Sequence, residues 1–158
     1  MKPLPLELFR FEDAGQSVTV EVRCDAPWTV REERYYPAEI VVQSDFVRGR
    51  VRLVVSPADL DEWERCLDAL EAEEGAVWPT GDRSAWMDIV PDDPFEVTVH
   101  DSPSTQIAVL VPVDVVEDWL EENRILLERV RTALSAAPEA RTGLMITAWR
   151  SNAGAVTQ

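Results

Sequence analysis

Histidine, the side chain most often used for general acid–base chemistry, occurs once in this chain of 158 residues, at position 100. His100 stands beside Asp101 on the polar side of a predicted strand. A catalytic histidine needs a nucleophile within reach and a third group that orients its ring. The sequence shows no such set, so we interpret His100 as a solvated strand residue. We predict no catalytic residue and regard an enzyme as the least favoured class.

Two acidic clusters could supply oxygen ligands to a metal ion, namely Asp59, Asp61 and Glu62, and the pair Asp92 and Asp93. Neither cluster follows the spacing of a calcium-binding loop. The first one also lies where a helix is predicted to begin, and acids favour that position because of the helix dipole. Cys24 and Cys66 lack the spacing of a metal or redox motif. We therefore expect reduced thiols, no metal and no cofactor.

The chain is strongly acidic, with 30 acidic against 15 basic residues and a formal net charge of −15. Such a surface repels nucleic acids and anionic membranes, and it attracts basic proteins. Part of the acidity could also reflect composition, because Lys2 is the only lysine and this usage is typical of GC-rich bacterial genomes. We thus predict a basic protein partner, with no nucleic acid and no membrane bound.

The outer face of the first predicted helix carries a run of acids with few basic groups to neutralise them. The partner-binding candidates on this face are Asp61, Glu62, Asp68 and Glu71. The alternative is a solvated helix face without a partner, which is the usual role of a charge run.

Aromatic residues in or beside predicted loops form the second group of candidates, since aromatic side chains often anchor protein partners. The candidates of this kind are Trp28, Tyr35, Tyr36 and Trp86. Burial beneath the loops is the alternative that the sequence leaves open. Trp63 and Trp119, in contrast, fall on the apolar stripes of two predicted helices, so we expect both in the core.

Alternation of apolar and polar residues predicts strands, and three-to-four-residue spacing predicts helices. The predicted strands cover 4–11, 17–23, 36–43, 47–55, 77–78, 86–90, 95–101 and 106–113, with 25–35 irregular. One helix is predicted to begin after the capping residue Ser56 and to end at Gly75, and a second to begin after Asp114. We predict an α+β fold with a largely antiparallel sheet of about seven or eight strands and two helices.

We expect a single domain over residues 1–137 and a poorly ordered C-terminal extension over 138–158. The N-terminal residues lack the apolar segment of a signal peptide, and no run reaches the length of a membrane span. A cytoplasmic protein is the expectation.

Three parts of the chain resemble an uncharacterised actinobacterial family of small acidic proteins, over roughly residues 6–134. These parts are Ala38-Glu-Ile-Val-Val with Phe46-Val-Arg-Gly-Arg-Val, the helix Asp59-Leu-Asp-Glu-Trp-Glu-Arg-Cys-Leu-Asp-Ala-Leu, and Phe95-Glu-Val-Thr-Val with Val111-Pro-Val and Trp119-Leu. The order of elements is also similar to that of WapI-type immunity proteins. Neither resemblance implies a catalytic motif, and a shared fold does not by itself establish function.

The sequence as a whole favours an acidic cytoplasmic protein-binding domain. Its sharpest version is an immunity protein that neutralises a basic, nuclease-type toxin, because such toxins are basic in order to bind phosphates. The alternative is an accessory or ligand-binding domain without a toxin partner.

Overall fold

The protein is described by a computed structural model that covers residues 4–81, 83–136 and the backbone of 141–142. Its strands are β1 (Leu6–Glu12), β2 (Gln16–Val22), β3 (Trp28–Val30), β4 (Glu33–Ser44), β5 (Arg48–Val55), β6 (Ala76–Trp78), β7 (Ala85–Val90), β8 (Phe95–Asp101), β9 (Ile107–Val113) and the two-residue β10 (Arg141–Thr142). Its helices are α1 (Pro57–Glu71) and α2 (Trp119–Ser135). The predicted α+β class with largely antiparallel sheet is confirmed.

The strands form two sheets. In the first sheet, β1 pairs with β2, β2 with β4, and β4 with both β3 and β5, all antiparallel, while β10 lies parallel to β3. The second sheet is a meander in the order β6-β7-β8-β9. The two sheets are joined where Gln16 of β2 donates a hydrogen bond to the carbonyl oxygen of Pro112 in β9.

β1 lies at the edge of the first sheet, and its buried side chains do not alternate regularly. The pairing register with β2 shifts between Glu7 and Phe9. Such a bulge places two consecutive side chains on the same side. Leu8 and Phe9 are therefore both buried, whereas Leu6 is only half-buried.

The predicted irregular segment 25–35 contains a hairpin that the sequence analysis missed. β3 and the start of β4 pair around a two-residue turn, Arg31 and Glu32, whose φ angles are 50° and 69°. Positive φ at both central positions gives the turn the twist that a tight hairpin needs. Glycine and asparagine usually mark such turns, and their absence here hides the hairpin.

α1 begins as predicted, and its cap is well defined. The backbone N–H of Ser56 donates a hydrogen bond to the carboxylate of Asp59 at 2.8 Å, which is half of a capping box. The helix ends at Glu71, earlier than the predicted Gly75. Glu73, and not the glycine, adopts the positive φ of 61° beyond the helix end.

α2 begins later than predicted. Its N-cap is Asp118 and not Asp114, whose backbone N–H donates to Asp13 in the β1–β2 turn at 2.9 Å. Val116 lies before the helix and is exposed, and Trp119, expected in the core, is half-buried.

A single cluster of buried side chains contains residues of both sheets and both helices. At its centre, the indole of Trp63 stacks on the ring of Phe9 at 4.1 Å between centroids. Trp63 is fully buried, as predicted. Most of the predicted extension 138–158 lies outside the described residues, apart from the backbone of β10. In the described part of the chain, neither helix is long and apolar enough to cross a membrane.

Candidate partner-binding surface

The acidic face of α1 meets two arginines of α2. Arg131 lies 2.9 Å from Asp61 and 2.6 Å from Glu64, and it also pairs with Glu128 of its own helix. Burial alone would lower the pKa of the Arg131 guanidinium, but the hydrogen bonds that it donates to Glu64, Glu128 and Asp61 raise the pKa overall. The expectation that few basic groups neutralise these acids is thus wrong at this end of α1.

The other end of the same helix shows the same pattern. Arg124 lies 2.8 Å from Asp68 and 3.5 Å from Glu71. Glu62 is used differently, since its carboxylate accepts hydrogen bonds from the backbone N–H and the hydroxyl of Thr80 at 2.6 and 2.9 Å. All four predicted acids of α1 therefore hold neighbouring parts of the fold, although Asp61, Asp68 and Glu71 stay largely exposed to solvent.

Two of the predicted aromatic anchors are buried, which is the alternative that the sequence left open. Trp28 and Tyr36 are only 4% and 1% exposed. Tyr35 is half-buried, and its hydroxyl donates to the carboxylate of Glu33 at 3.0 Å. Desolvation first, and then Glu33, raises the pKa of Tyr35. Trp28 and Tyr36 therefore offer no free aromatic surface, whereas Tyr35 stays partly exposed.

Trp86 has a different setting, on the outer side of the second sheet. Its ring is stacked on that of His100, with 3.7 Å between centroids and 7° between planes. His100 Nε2 in turn lies 2.7 Å from the Asp88 carboxylate. His100 was expected to be solvated beside Asp101, but it is half-buried between Trp86 and Asp88. The three side chains form one ordered cluster because β7 and β8 pair with Trp86 opposite His100.

We call the outer side of the second sheet the open face. Its members alternate with the buried residues of β6, β7, β8 and β9 and are Val77, Trp86, Asp88, Val90, Glu96, Thr98, His100, Ala108, Leu110 and Pro112. Leu110 is 55% exposed, and Val77 and Val90 are exposed as well. Solvated faces of antiparallel sheets are usually polar. The open face instead mixes apolar side chains with the polar side chains of Asp88, Glu96, Thr98 and His100.

The ionic character of the open face is acidic. Asp88 and Glu96 lie on it, and it contains no arginine or lysine. Among the described residues Glu96 has no ion-pair partner, and the same holds for the exposed Asp92 and Asp93 in the adjoining turn. The face therefore combines apolar contact area with uncompensated negative charge.

The acidic clusters that the sequence offered as metal ligands either have other roles or lack a third ligand among the described residues. Asp59 is buried, and its carboxylate binds the N–H of Ser56 and the guanidinium of Arg83. Its carbonyl oxygen accepts a hydrogen bond from the Trp78 indole at 2.8 Å. In the described part of the chain, no group of three or more histidine, cysteine, aspartate or glutamate residues is arranged to hold a metal ion.

Both cysteines are free thiols. Burial, followed by the negative charge of Asp25, raises the pKa of Cys24 to about 11. Burial also raises the pKa of Cys66 to about 11, with a further contribution from Glu62. Thiols of this kind are poorly reactive, because the thiolate is the nucleophilic form.

The sequence analysis found Trp86 but missed the surface around it. The sequence signal of this surface is the run Ile107–Val113, which is apolar throughout and therefore places apolar side chains on both sides of its strand. The shared outer side of the sheet follows from strand pairing, which brings Leu110 to Thr98 and Ala108 to His100.

Comparison with known proteins gives a family and no activity. No curated protein and no solved structure matches the chain. Residues 6–135 match DUF5959, described as a family of unknown function. The expectation of an uncharacterised family over roughly this range is confirmed. Since the match covers most of its length, the chain belongs to the DUF5959 family.

Proposed function

We propose that this chain is an acidic protein-binding domain that docks a basic protein on the open face. The observation that carries this proposal is the combination of exposed apolar side chains and carboxylates on one uncovered sheet surface. Leu110, Val77 and Val90 supply apolar area, and Asp88 and Glu96 supply negative charge. A partner that buries this face needs apolar residues flanked by lysine or arginine.

The overall charge of the protein also favours a basic partner. The formal net charge is −15. On the two helices, Arg124 and Arg131 are shared among five carboxylates, so the pairing leaves an acidic surplus. A field of this kind speeds the approach of a basic protein over a Debye length of about 8 Å at physiological salt. The helices then contribute to steering, and the open face to contact.

Trp86 is the natural anchor of the docked state. Its ring is held by the stack on His100, and His100 is held by Asp88. An aromatic side chain that is already fixed loses little conformational freedom on binding. Aromatic residues of this kind commonly dominate the binding energy of an interface.

The sharper form of the proposal is a cytoplasmic immunity protein of an actinobacterium whose partner is a nuclease-type toxin. Nucleases carry basic surfaces for phosphate groups, so an acidic inhibitor both approaches quickly and competes with the substrate. The similarity in element order to WapI-type immunity proteins supports this form.

The experiment measures how two arginine substitutions change binding to the protein encoded by the neighbouring gene, which this proposal requires to be basic. Leu110→Arg places positive charge on the open face, and Ile125→Arg does the same at a residue 48% exposed on α2. We expect Leu110→Arg to weaken binding at least about tenfold while Ile125→Arg changes it little. Equal effects of the two substitutions would remove the open face from the proposal.

The immunity form has its own readout. Expression of the neighbouring protein alone should stop growth, and co-expression of this chain should restore it. Tight binding without any effect on growth would support a protein-binding domain and would rule out the toxin as its partner.

A further inference from the structure

β9 is an edge strand of the second sheet. In the described part of the chain it pairs with β8 alone. Ala108 and Leu110 are exposed, and so is Ile107 at the start of the strand. Between Ile107 and Val111 the strand has no charged residue and no proline, although these are the usual devices that protect an edge. The middle of β9 is therefore an open and apolar edge.

The end of the strand shows which backbone groups point to this edge. The carbonyl oxygen of Pro112 accepts a hydrogen bond from the Gln16 side chain, and the N–H of Asp114 donates to the Asp13 carboxylate at 2.9 Å. Both partners belong to the β1–β2 hairpin and not to β8. Alternate residues of an antiparallel strand point the same way, so the even-numbered residues of β9 direct their backbone groups away from β8. Pro112 agrees with this assignment, because proline has no N–H to donate to the ladder.

The β1–β2 hairpin closes only this end of the edge. Ala108 and Leu110 are the even-numbered residues before it, and none of the described residues binds their N–H and carbonyl groups. Exposed backbone groups of this kind are a template for another strand. The neighbouring side chains are apolar on both sides, with Leu110 on the open face and Ile107 and Val109 on the opposite side. A strand added here would need apolar or small side chains in its middle.

The charges around the closed end of the edge are negative. Glu96 lies opposite Pro112, and the exposed Asp114 follows β9 directly. Neither carboxylate forms an ion pair with a described residue. The hydrogen bond from the Asp114 N–H lowers the pKa of Asp13, which keeps this third carboxylate ionised. Residues 84–123 contain no lysine or arginine. A strand that pairs with β9 would therefore be stabilised by positive charge at this end.

We propose that the basic partner adds an extended segment to the β9 edge as a fifth strand of the second sheet, apolar in its middle and positively charged where it passes Glu96 and Asp114. This inference rests on the proposed function and gives the way in which the partner is held. The N–H and carbonyl groups of Ala108 and Leu110 supply the main-chain hydrogen bonds of strand addition. Alternate side chains of the segment extend the open face beside Leu110.

A second copy of this chain is a poor occupant of the edge. Each copy carries a formal net charge of −15, so two copies repel each other. Pairing of β9 with itself would also bring no positive charge to Glu96 and Asp114, because the strand has none. A basic segment satisfies both the backbone groups and the carboxylates.

Peptides test strand addition without the partner. The probe is a fluorescent peptide of about eight residues, a usual strand length, that alternates valine with threonine between lysines at both ends. Two further peptides carry N-methyl groups on the odd or on the even backbone nitrogens. A fourth peptide replaces each lysine with glutamate. Binding to the full chain is measured by fluorescence anisotropy.

We expect the lysine peptide to bind and the glutamate peptide to bind at least about tenfold more weakly. One of the two N-methylated peptides should lose at least as much, because only one set of N–H groups faces β9. Equal affinities of the lysine peptide and both N-methylated peptides would overturn strand addition, since N-methylation removes donors and keeps the charge. Absence of binding by the lysine peptide, or stronger binding of the glutamate peptide, would overturn it as well.

Two substitutions at one position test the protein side. Ala108→Val keeps the N–H that faces the edge, whereas Ala108→Pro removes it. Pro112 shows that an even-numbered position of this strand accepts proline. We expect the proline variant to bind the lysine peptide several-fold more weakly than the valine variant. If the proline variant fails to fold, the N-methylated peptides with the parent chain decide.

The protein encoded by the neighbouring gene separates this inference from the proposed function. If Leu110→Arg weakens its binding but Ala108→Pro and Ala108→Val bind it equally, the open face docks the partner without strand addition, and this inference alone fails. If none of the three substitutions weakens binding, the proposed function fails as well. A dimer of the parent chain that Ala108→Pro disrupts would overturn the partner segment in favour of a second copy.

Discussion

The side chain of Asn123 binds both backbone groups of Arg10. Its Oδ1 accepts a hydrogen bond from the Arg10 N–H at 2.8 Å, and its Nδ2 donates to the Arg10 carbonyl oxygen at 3.1 Å. Nδ2 also donates to the Trp119 carbonyl oxygen at 2.8 Å. A residue of α2 therefore satisfies the edge of β1 as a neighbouring strand would. This contact closes one edge of the first sheet.

Asn123→Leu should destabilise the fold by about 3 kcal/mol, because it leaves a buried N–H and carbonyl group of Arg10 without partners. Asn123 itself is fully buried. Urea unfolding followed by tryptophan fluorescence measures the effect. Thr132→Ala, at an exposed position of the same helix, is the control and should stay within about 0.5 kcal/mol of the parent. Similar stabilities of the two variants would contradict the role given to Asn123.

Trp63→Ala should lower the free energy of unfolding by about 3–5 kcal/mol, the usual loss when a core aromatic side chain is truncated. Trp63 is fully buried and contacts the rings of Phe9, Phe11 and Trp78. Trp86→Ala is the matched control on the open face and should cost about 1 kcal/mol. The comparison uses the same urea titration. A loss below about 1 kcal/mol for Trp63→Ala would show that the core does not depend on this ring.

Arg83→Met should destabilise the protein by about 3 kcal/mol, since it leaves the buried carboxylate of Asp59 without its cation. It also uncaps the Val54 carbonyl oxygen at the end of β5. Arg124→Met removes an arginine whose partners are exposed, and should cost at most about 1 kcal/mol. Thermal and urea unfolding of both variants test the difference. Equal losses would mean that the Asp59–Arg83 pair is no stronger than a surface pair.

Cys24 and Cys66 should react slowly with a thiol reagent in the folded protein and quickly once it is unfolded. Burial raises the pKa of each from 9.0 to about 11. The folded state thus favours the neutral thiol, and this contribution to stability is present below the unfolded pKa near 9 and is lost as pH rises through about 11. The labelling rate of each thiol, measured across this pH range, reports its pKa in the folded and the unfolded protein. Rapid labelling of both thiols at neutral pH in the folded state would contradict the prediction.

Local signals allowed much of this fold to be predicted. Val18, Val20 and Val22 alternate as a half-buried strand must, and Ser56 followed by Pro57 marks the start of α1. These features depend on neighbours within a few residues, so the sequence contains them directly.

Features that depend on distant residues could not be predicted in this way. The segment that precedes α2 is one example, since Asp13 accepts a hydrogen bond from the N–H of Asp114, about 100 positions along the chain. Arg124 and Arg131 reach the acids of α1 from another element, so the neutralisation of that face has no local signal. The open face likewise exists only once β7, β8 and β9 are paired in register.

Reversal of Asp61 and Asp68 to lysine should lower stability by about 1–2 kcal/mol, because each lysine would stand beside an arginine of α2. In the structure, Asp61 pairs with Arg131 and Asp68 pairs with Arg124. The loss should shrink at about 1 M salt, where the Debye length falls to about 3 Å.

Glu117→Lys is the control for charge alone. Glu117 is exposed and has no ion-pair partner among the described residues, so its reversal should leave stability nearly unchanged. With a basic partner in hand, both variants should slow association at low salt, since both reduce the acidic field. Only the Asp61 and Asp68 reversal should also lower the urea midpoint. A salt-independent association rate in the parent would show that the acidity does not steer a partner, and the apolar part of the open face would then have to account for binding alone.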